Sequence, residues 1–145
     1  MERDVFTPIA AEGLLNGFAF EGHFVDAGTP ESWLEAMQVC LAGRRWSSGE
    51  PDASGSWIGA HSIVEGETEA SAIGEEAEVR QGARVSTSSV LRCACIGSGA
   101  IVENCLIGEW ANIGEGAHLT DVVVDYRATV PAGHVQTGGT FEASE

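Results

Sequence analysis

Ile96-Gly97-Ser98-Gly99-Ala100-Ile101 and, 17 residues on, Ile113-Gly114-Glu115-Gly116-Ala117-His118 share one frame: an aliphatic residue, two or three small or polar ones, then a small fifth position. The interval of 17 recurs through the second half of the chain. Ile73, Val90, Ile107 and Val124 keep it, as do Val79, Ile96, Ile113 and Val130, and a third column runs Val85, Val102, Leu119. Three apolar columns per period mean a turn with three short sides, each sending one aliphatic inward. That is a coiled β-solenoid. The aliphatics ignore the 3.6-residue helical period, and glycine and β-branched residues are too dense for helix.

The small fifth position forms columns of its own, Ala77/Ala94/Ala111/Ala128 and Ala83/Ala100/Ala117. A larger side chain there would overfill a narrow triangular interior. Gly82, Gly99, Gly116 and Gly133 fall where the chain must turn sharply, and glycine alone takes positive φ without steric cost. The third side is one residue short, with Thr87, Asn104 and Asp121 at its corner, residues that bond their own backbone there. Upstream, Ile58 to Thr68 reads as an earlier, irregular coil. Its register slips, because Ile73 arrives nine residues after Val64. Four to five coils at about 4.8 Å each give a prism about 20 Å tall. The pattern resembles the hexapeptide-repeat left-handed parallel β-helix, and the left hand is what that resemblance implies. The fold expected is thus mainly β, with a small α/β unit in front.

Composition narrows the partners. The 145 residues carry 22 acids, seven arginines and no lysine, a formal net charge of −15. Nucleic acids and anionic membranes both demand basic patches, so neither is expected. No apolar run approaches the roughly 20 residues that cross a bilayer, and no signal-peptide pattern opens the chain. Glu75, Glu76, Glu78, Glu103, Glu109 and Glu115 fall on outward solenoid positions, which reads as a solvated face. Of the four cysteines, Cys93 and Cys95 flank Ala94 on one strand, Cys105 sits near a corner and Cys40 lies in a helix. No second pair or histidine cluster completes four metal ligands, so reduced thiols in a cytoplasmic protein are expected.

The first 45 residues differ in kind. Residues 2–11 suit a short helix ended by Gly13, and 14–20 and 23–27 read as two short strands. Thr29 then caps a helix with Pro30 at its first position and Glu31 against its dipole. Trp33, Leu34, Met37 and Leu41 make one apolar stripe, and Gly43 closes the helix. The organisation expected is 1–45 a small α/β unit, 46–56 a Gly/Ser/Pro linker, 57–135 the solenoid, and 136–145 a polar, weakly ordered tail. A unit so small needs the solenoid or a further partner to cover its apolar faces.

Glu2-Arg3-Asp4-Val5-Phe6, followed by Ala10-Ala11-Glu12-Gly13 and then Gly22-His23-Phe24-Val25-Asp26-Ala27-Gly28-Thr29-Pro30, with a β-solenoid following, resembles the sugar-1-phosphate nucleotidyltransferases, most of all the mannose-1-phosphate guanylyltransferase type. It is similar to the last part of their catalytic domain. That resemblance implies transfer of a nucleotidyl group from NTP to a sugar 1-phosphate, with Asp26 helping to hold Mg²⁺ and Thr29 near a phosphate. Mg²⁺ suits the role, since it prefers one or two carboxylates plus phosphate oxygens. The family's Gly-rich phosphate loop and its second metal-binding aspartate have no counterpart here. The chain is therefore read as a C-terminal portion, from a truncated reading frame, a degenerate paralogue or a deliberately shortened chain. It is not expected to catalyse alone. Its expected partners are a missing catalytic domain or further copies of itself, with nucleotide and sugar phosphate bound only in the full-length context. Trp57 and Trp110 are candidates for an interface patch.

A rival reading is a hexapeptide acyltransferase using acyl-CoA, with His61, His118, His134 or His23 as general base. It leaves the Glu-Arg-Asp-Val-Phe and Gly-Thr-Pro stretches unexplained.

Overall fold

A computed structural model describes residues 2–19, 21–43 and 49–143. Met1, Phe20, residues 44–48 across the boundary between the small unit and the linker, and the last two residues lie outside them. From Trp57 onward the chain is a parallel β-solenoid of about five turns, the hexapeptide left-handed β-helix. Among the described residues sixteen strands of two or three residues form its three walls. The first wall holds β1 (Trp57–Ile58), β4 (Ala72–Ile73), β7 (Ser89–Val90), β10 (Leu106–Ile107), β13 (Val123–Val124) and β16 (Thr140–Phe141). The second holds β2 (Ile63–Val64), β5 (Glu78–Val79), β8 (Cys95–Ile96), β11 (Asn112–Ile113) and β14 (Thr129–Val130). The third holds β3 (Glu67–Glu69), β6 (Arg84–Ser86), β9 (Ile101–Glu103), β12 (His118–Thr120) and β15 (Val135–Thr137).

The ladder register is the sequence period made physical. Ile73 pairs with Val90, Val90 with Ile107 and Ile107 with Val124, so identical positions stack and their side chains fill one interior. All three aliphatic columns and both alanine columns are buried. A wholly buried Val or Ile stabilises by about 1.5–3 kcal/mol, so a stack of them outweighs the marginal stability of two-residue strands. The glycine corner takes φ of +75°, +66°, +65° and +67° at Gly82, Gly99, Gly116 and Gly133. Thr87, Asn104 and Asp121 occupy the left-handed region at the third corner, and the Asn104 amide donates to Asp121 Oδ1 at 2.6 Å.

The slip in the first coil is now located. Ile58 pairs with Ile73 and Val64 with Val79, a step of 15, whereas Thr68 pairs with Val85, a step of 17. Two residues are missing between Val64 and Glu67, at the corner the glycines turn in later coils.

The sequence reading passed over two features. One is a corner of non-glycine residues at positive φ: His61, Glu76, Cys93, Trp110 and Arg127. The other is an internal polar ladder. The Ser71 N–H donates to Ser56 Oγ (3.2 Å), Ser88 N–H to Ser71 Oγ (3.1 Å) and Cys105 N–H to Ser88 Oγ (2.9 Å). Val122 N–H continues it onto Cys105 Sγ at 3.4 Å. These buried hydroxyls satisfy backbone donors that a tight corner would otherwise leave unpaired.

Asp52 fastens the approach to the first coil. Its Oδ1 accepts the Ser54 hydroxyl (2.6 Å) and the N–H groups of Ser54 (2.8 Å) and Ser56 (3.0 Å). Burial pushes this carboxyl up, but the three hydrogen bonds outweigh it and hold the acid below its ordinary value. A depressed folded pKa contributes stability above the unfolded value, about 3.9, and loses it as pH falls through the folded one. The protection of the Ser54 and Ser56 amides against exchange, relative to an unstructured peptide at the same pH, is therefore expected to fall below about pH 4, and Asp52→Asn to remove that pH dependence. Protection unchanged down to full protonation would contradict this.

At the far end, β15 and β16 continue the walls into the stretch read as a polar tail. Phe141 packs against the core, and its ring meets the His134 ring edge-on at 5.4 Å. Gln136 takes the column position of Leu119 and bonds His134 Nε2 (3.1 Å) and the Gly138 carbonyl (3.0 Å). The final coil thus carries its own cap.

In front, a π-type turn over Glu2–Phe6 runs into α1 (Thr7–Ala11), and Gly13 ends it at φ +71°. The two strands expected over 14–20 and 23–27 do not form among the described residues. A strand exists only as part of a ladder, and no neighbouring strand of this chain lies beside either segment. α2 (Pro30–Gly43) forms as read and lies on the first wall. Leu34, Met37 and Leu41 bury against Ala72 and Trp57, Trp33 Nε1–H donates to Ser89 Oγ at 3.3 Å, and Gln38 Nε2 donates to the Ala70 carbonyl at 2.7 Å.

Candidate functional site

The chemistry-bearing residues of the first 45 meet at the start of α2. Thr29 Oγ1 accepts the Ser32 N–H at 3.2 Å, and Ser32 Oγ accepts the Thr29 N–H at 3.0 Å. This reciprocal capping box satisfies two helix-end donors, so the Thr29 hydroxyl is already engaged in capping. Asp26 stands exposed in the coil just before, its Oδ1 turned toward Gly28. Among the described residues no group of three or more His, Cys, Asp or Glu side chains gathers in a way that could hold a metal ion. Asp26 alone does not make a resident Mg²⁺ site, because the remaining positions need phosphate oxygens or a second carboxylate.

α2 and the solenoid enclose two clefts. The larger, about 510 Å³, runs from Glu31, Leu34 and Glu35 of the helix to Asn104 and Asp121 of the third corner and Leu106 of the first wall. The smaller, about 290 Å³, is almost wholly apolar and lies between Met37 and Cys40 on one side and Trp57, Ala72 and Leu91 on the other. Trp57 is thus occupied by α2, which removes it as a free interface residue. Trp110 is half-exposed at its corner.

The cysteines separate more than the sequence reading had them. Cys93 is a corner residue at φ +57°, while Cys95 begins β8, so they do not share one strand. Each thiol sits over a glutamate of the preceding coil, Cys93 Sγ 3.4 Å from Glu76 Oε2 and Cys95 Sγ 3.8 Å from Glu78 Oε2. Burial first, then the neighbouring carboxylate, pushes the Cys93 thiol up. At Cys95 burial again leads, with Glu78 reinforcing it. Cys105 lies in the internal ladder, and burial drives its thiol up to about 11. All four thiols are free, and the upward shifts at those three disfavour the nucleophilic thiolate.

The histidines do not converge on one site. His61 marks a corner of the first coil, His118 points outward from β12, His134 is engaged by Gln136 and Phe141, and His23 is exposed in coil. Glu75, Glu76, Glu103, Glu109 and Glu115 are exposed, and three arginines pair along or between coils: Arg92 with Glu76 (2.7 Å), Arg80 with Glu78 (3.3 Å) and Arg84 with Glu67 (3.3 Å). Such exposed pairs are screened and contribute little. Among the described residues no helix is long and apolar enough to cross a membrane.

Leu14, Leu15, Phe18 and Phe24 of the small unit are exposed at 68, 51, 91 and 81%, so the solenoid leaves these apolar residues uncovered.

Comparison with known proteins places this geometry. The chain is 25% identical over 136 residues to the probable mannose-1-phosphate guanylyltransferase 3 of Oryza sativa subsp. japonica, covering 86% of this chain and 37% of that protein. It is 27% identical over 147 residues to mannose-1-phosphate guanylyltransferase 1 of Arabidopsis thaliana, covering 85% of this chain and 40% of that protein. The chain thus spans about two fifths of the length of the curated relatives it matches. A family model described as "GlmU-like, C-terminal hexapeptide" matches residues 65–140, from the second wall of the first coil to the capped end. With more than half of its residues matched and the solenoid seen in full, the chain belongs to the GlmU-like, C-terminal hexapeptide family.

Proposed function

We propose that this chain is the β-helix portion of a sugar-1-phosphate nucleotidyltransferase of the mannose-1-phosphate guanylyltransferase type. The reaction is NTP plus sugar 1-phosphate giving NDP-sugar and pyrophosphate, carried out by a catalytic unit for which the solenoid serves assembly or regulation. One observation carries the reading. The helix introduced by Gly28-Thr29-Pro30 is fastened by Leu34, Met37 and Leu41 onto Trp57 and Ala72 of the solenoid, so both parts of the resemblance form one packed unit. In the full-length setting Asp26, at the mouth of that helix, would offer a carboxylate to help hold Mg²⁺. When bound, the ion would steady charge at the phosphorus under attack. The Thr29 capping box would fix where that carboxylate is presented.

By itself the chain is expected to release no pyrophosphate above blank from GTP, mannose 1-phosphate and Mg²⁺. Robust release would contradict the non-catalytic assignment. Turnover of acetyl-CoA with an amino sugar would place the chain among acyltransferases instead.

A further inference from the structure

Two outward aliphatics of the first wall lie past the residues on which α2 is seated. Trp57, Ala72 and Ser89 meet the helix, and Leu106 and Val123 follow them in register. With Leu34 these two floor the cleft of about 510 Å³ beside the start of α2. Carboxylates stand on both rims: Glu31 and Glu35, one turn apart on the helix, and Asp121 on the third corner, all exposed. Among the described residues none of the three pairs with a cation. Arg80, Arg84 and Arg92 are engaged with other glutamates, and Arg127 lies over the Tyr126 ring at 4.9 Å. The rims also match in length. Glu31 to Gln38 rises about 10 Å along the helix, and Thr87 to Asp121 rises about 10 Å over two coils.

We propose that this cleft docks a short extended segment of a partner protein in which arginine or lysine alternates with aliphatic residues. Successive side chains of an extended chain face opposite ways, so its aliphatics settle on Leu34, Leu106 and Val123. The long basic side chains arch back over the rims, stems on apolar surface and heads at Glu31, Glu35 and Asp121. Charge complementarity selects this occupant, and the floor continues the seam on which α2 already sits. Three carboxylates repel nucleotides, phosphates and other anions. A second copy brings a charge of −15 and no lysine to the same place. The surface belongs to the solenoid and its helix, and holds whether or not the chain serves a nucleotidyltransferase.

The probe is a fluorescent peptide of about six residues alternating arginine with leucine, long enough to overrun the cleft. It is titrated into the whole 145-residue chain at about 0.15 M salt, followed by anisotropy, and located by methyl NMR. Saturable binding is expected, with the methyl signals of Leu34, Leu106 and Val123 shifting and those of Val135 on the third wall still. Glu31→Gln, Glu35→Gln and Asp121→Asn combined should weaken it about tenfold, as the loss of three exposed charge pairs implies. Any basic peptide is drawn to so acidic a chain, so a second triple variant removes equal charge at the other corners. That variant, Glu75→Gln, Glu109→Gln and Glu115→Gln, should cost less than about twofold at this screening. All six positions are exposed, and both variants should melt with the parent. Absence of saturable binding overturns the proposal, as do methyl shifts confined to the third wall. Equal weakening by the two triple variants overturns it too, because net charge alone would then explain the binding. So does equal binding by a peptide with serine in place of leucine, or displacement of the probe by an equal concentration of spermine.

Discussion

Ile113→Asp is expected to abolish cooperative folding of the solenoid, whereas Asn112→Asp, one residue away, leaves it nearly intact. Ile113 is fully buried, stacked between Ile96 and Val130 in the second column. Aspartate there forfeits the aliphatic contact and puts a carboxylate where no cation or donor waits. The loss is about 4–5 kcal/mol or more, comparable with the whole stability of a small domain. Asn112 stands on the same strand but faces solvent, so its change stays within about 0.5 kcal/mol. The damage should also spread. Each coil of a solenoid is held by its neighbours, and a broken fourth coil leaves the capped fifth with nothing to sit on. Thermal unfolding followed by far-UV circular dichroism distinguishes the two variants. Equal melting of both would mean that inward and outward positions are wrongly assigned.

The second large effect concerns the internal ladder. Ser88 is wholly buried, its hydroxyl donating to the Ser86 carbonyl at 2.7 Å and accepting the Cys105 N–H at 2.9 Å. Ser88→Ala removes both contacts and strands a backbone donor inside the solenoid, at a cost of about 1–3 kcal/mol. Ser88→Cys is expected to cost less, because Cys105 already does this work one coil later, donating to the Glu103 carbonyl at 3.1 Å. Urea unfolding midpoints should therefore rank wild type first, Cys next and Ala last. An alanine variant as stable as the parent would show that the ladder is incidental.

The architecture was legible because its cause is a strict period. Ile73, Val90, Ile107 and Val124 advertise one inward position per coil on the first wall, and the glycines at 82, 99, 116 and 133 advertise a corner by chemistry alone. The second corner carries no such mark. Glu76, Cys93, Trp110 and Arg127 share a φ but no side-chain property, and tertiary stacking holds them there despite the steric cost for non-glycine residues. Their one common sign is position, directly before the alanine column. Cys93 and Cys95 were misread for that reason, since strand spacing was assumed across a turn.

The capped end was hidden by composition. Gln136-Thr137-Gly138-Gly139-Thr140-Phe141 looks like a tail until Phe141 is seen to continue the column of Val124. The candidate site was legible only as fragments. The α2 stripe and its Thr29 start were readable from local rules, but the strands at 14–20 and 23–27 were expected on apolar content. A strand needs a neighbour as well as a pattern, and that neighbour is not among the described residues.

A crystal structure of the chain is the most direct test of the central claim. The side chains of Ile73, Val90, Ile107 and Val124 should lie in one interior column, each about 4.8 Å above the last, with α2 seated on Trp57 and Ala72. Density that sets those four residues on different sides of the molecule, or α2 away from the first wall, would contradict the account.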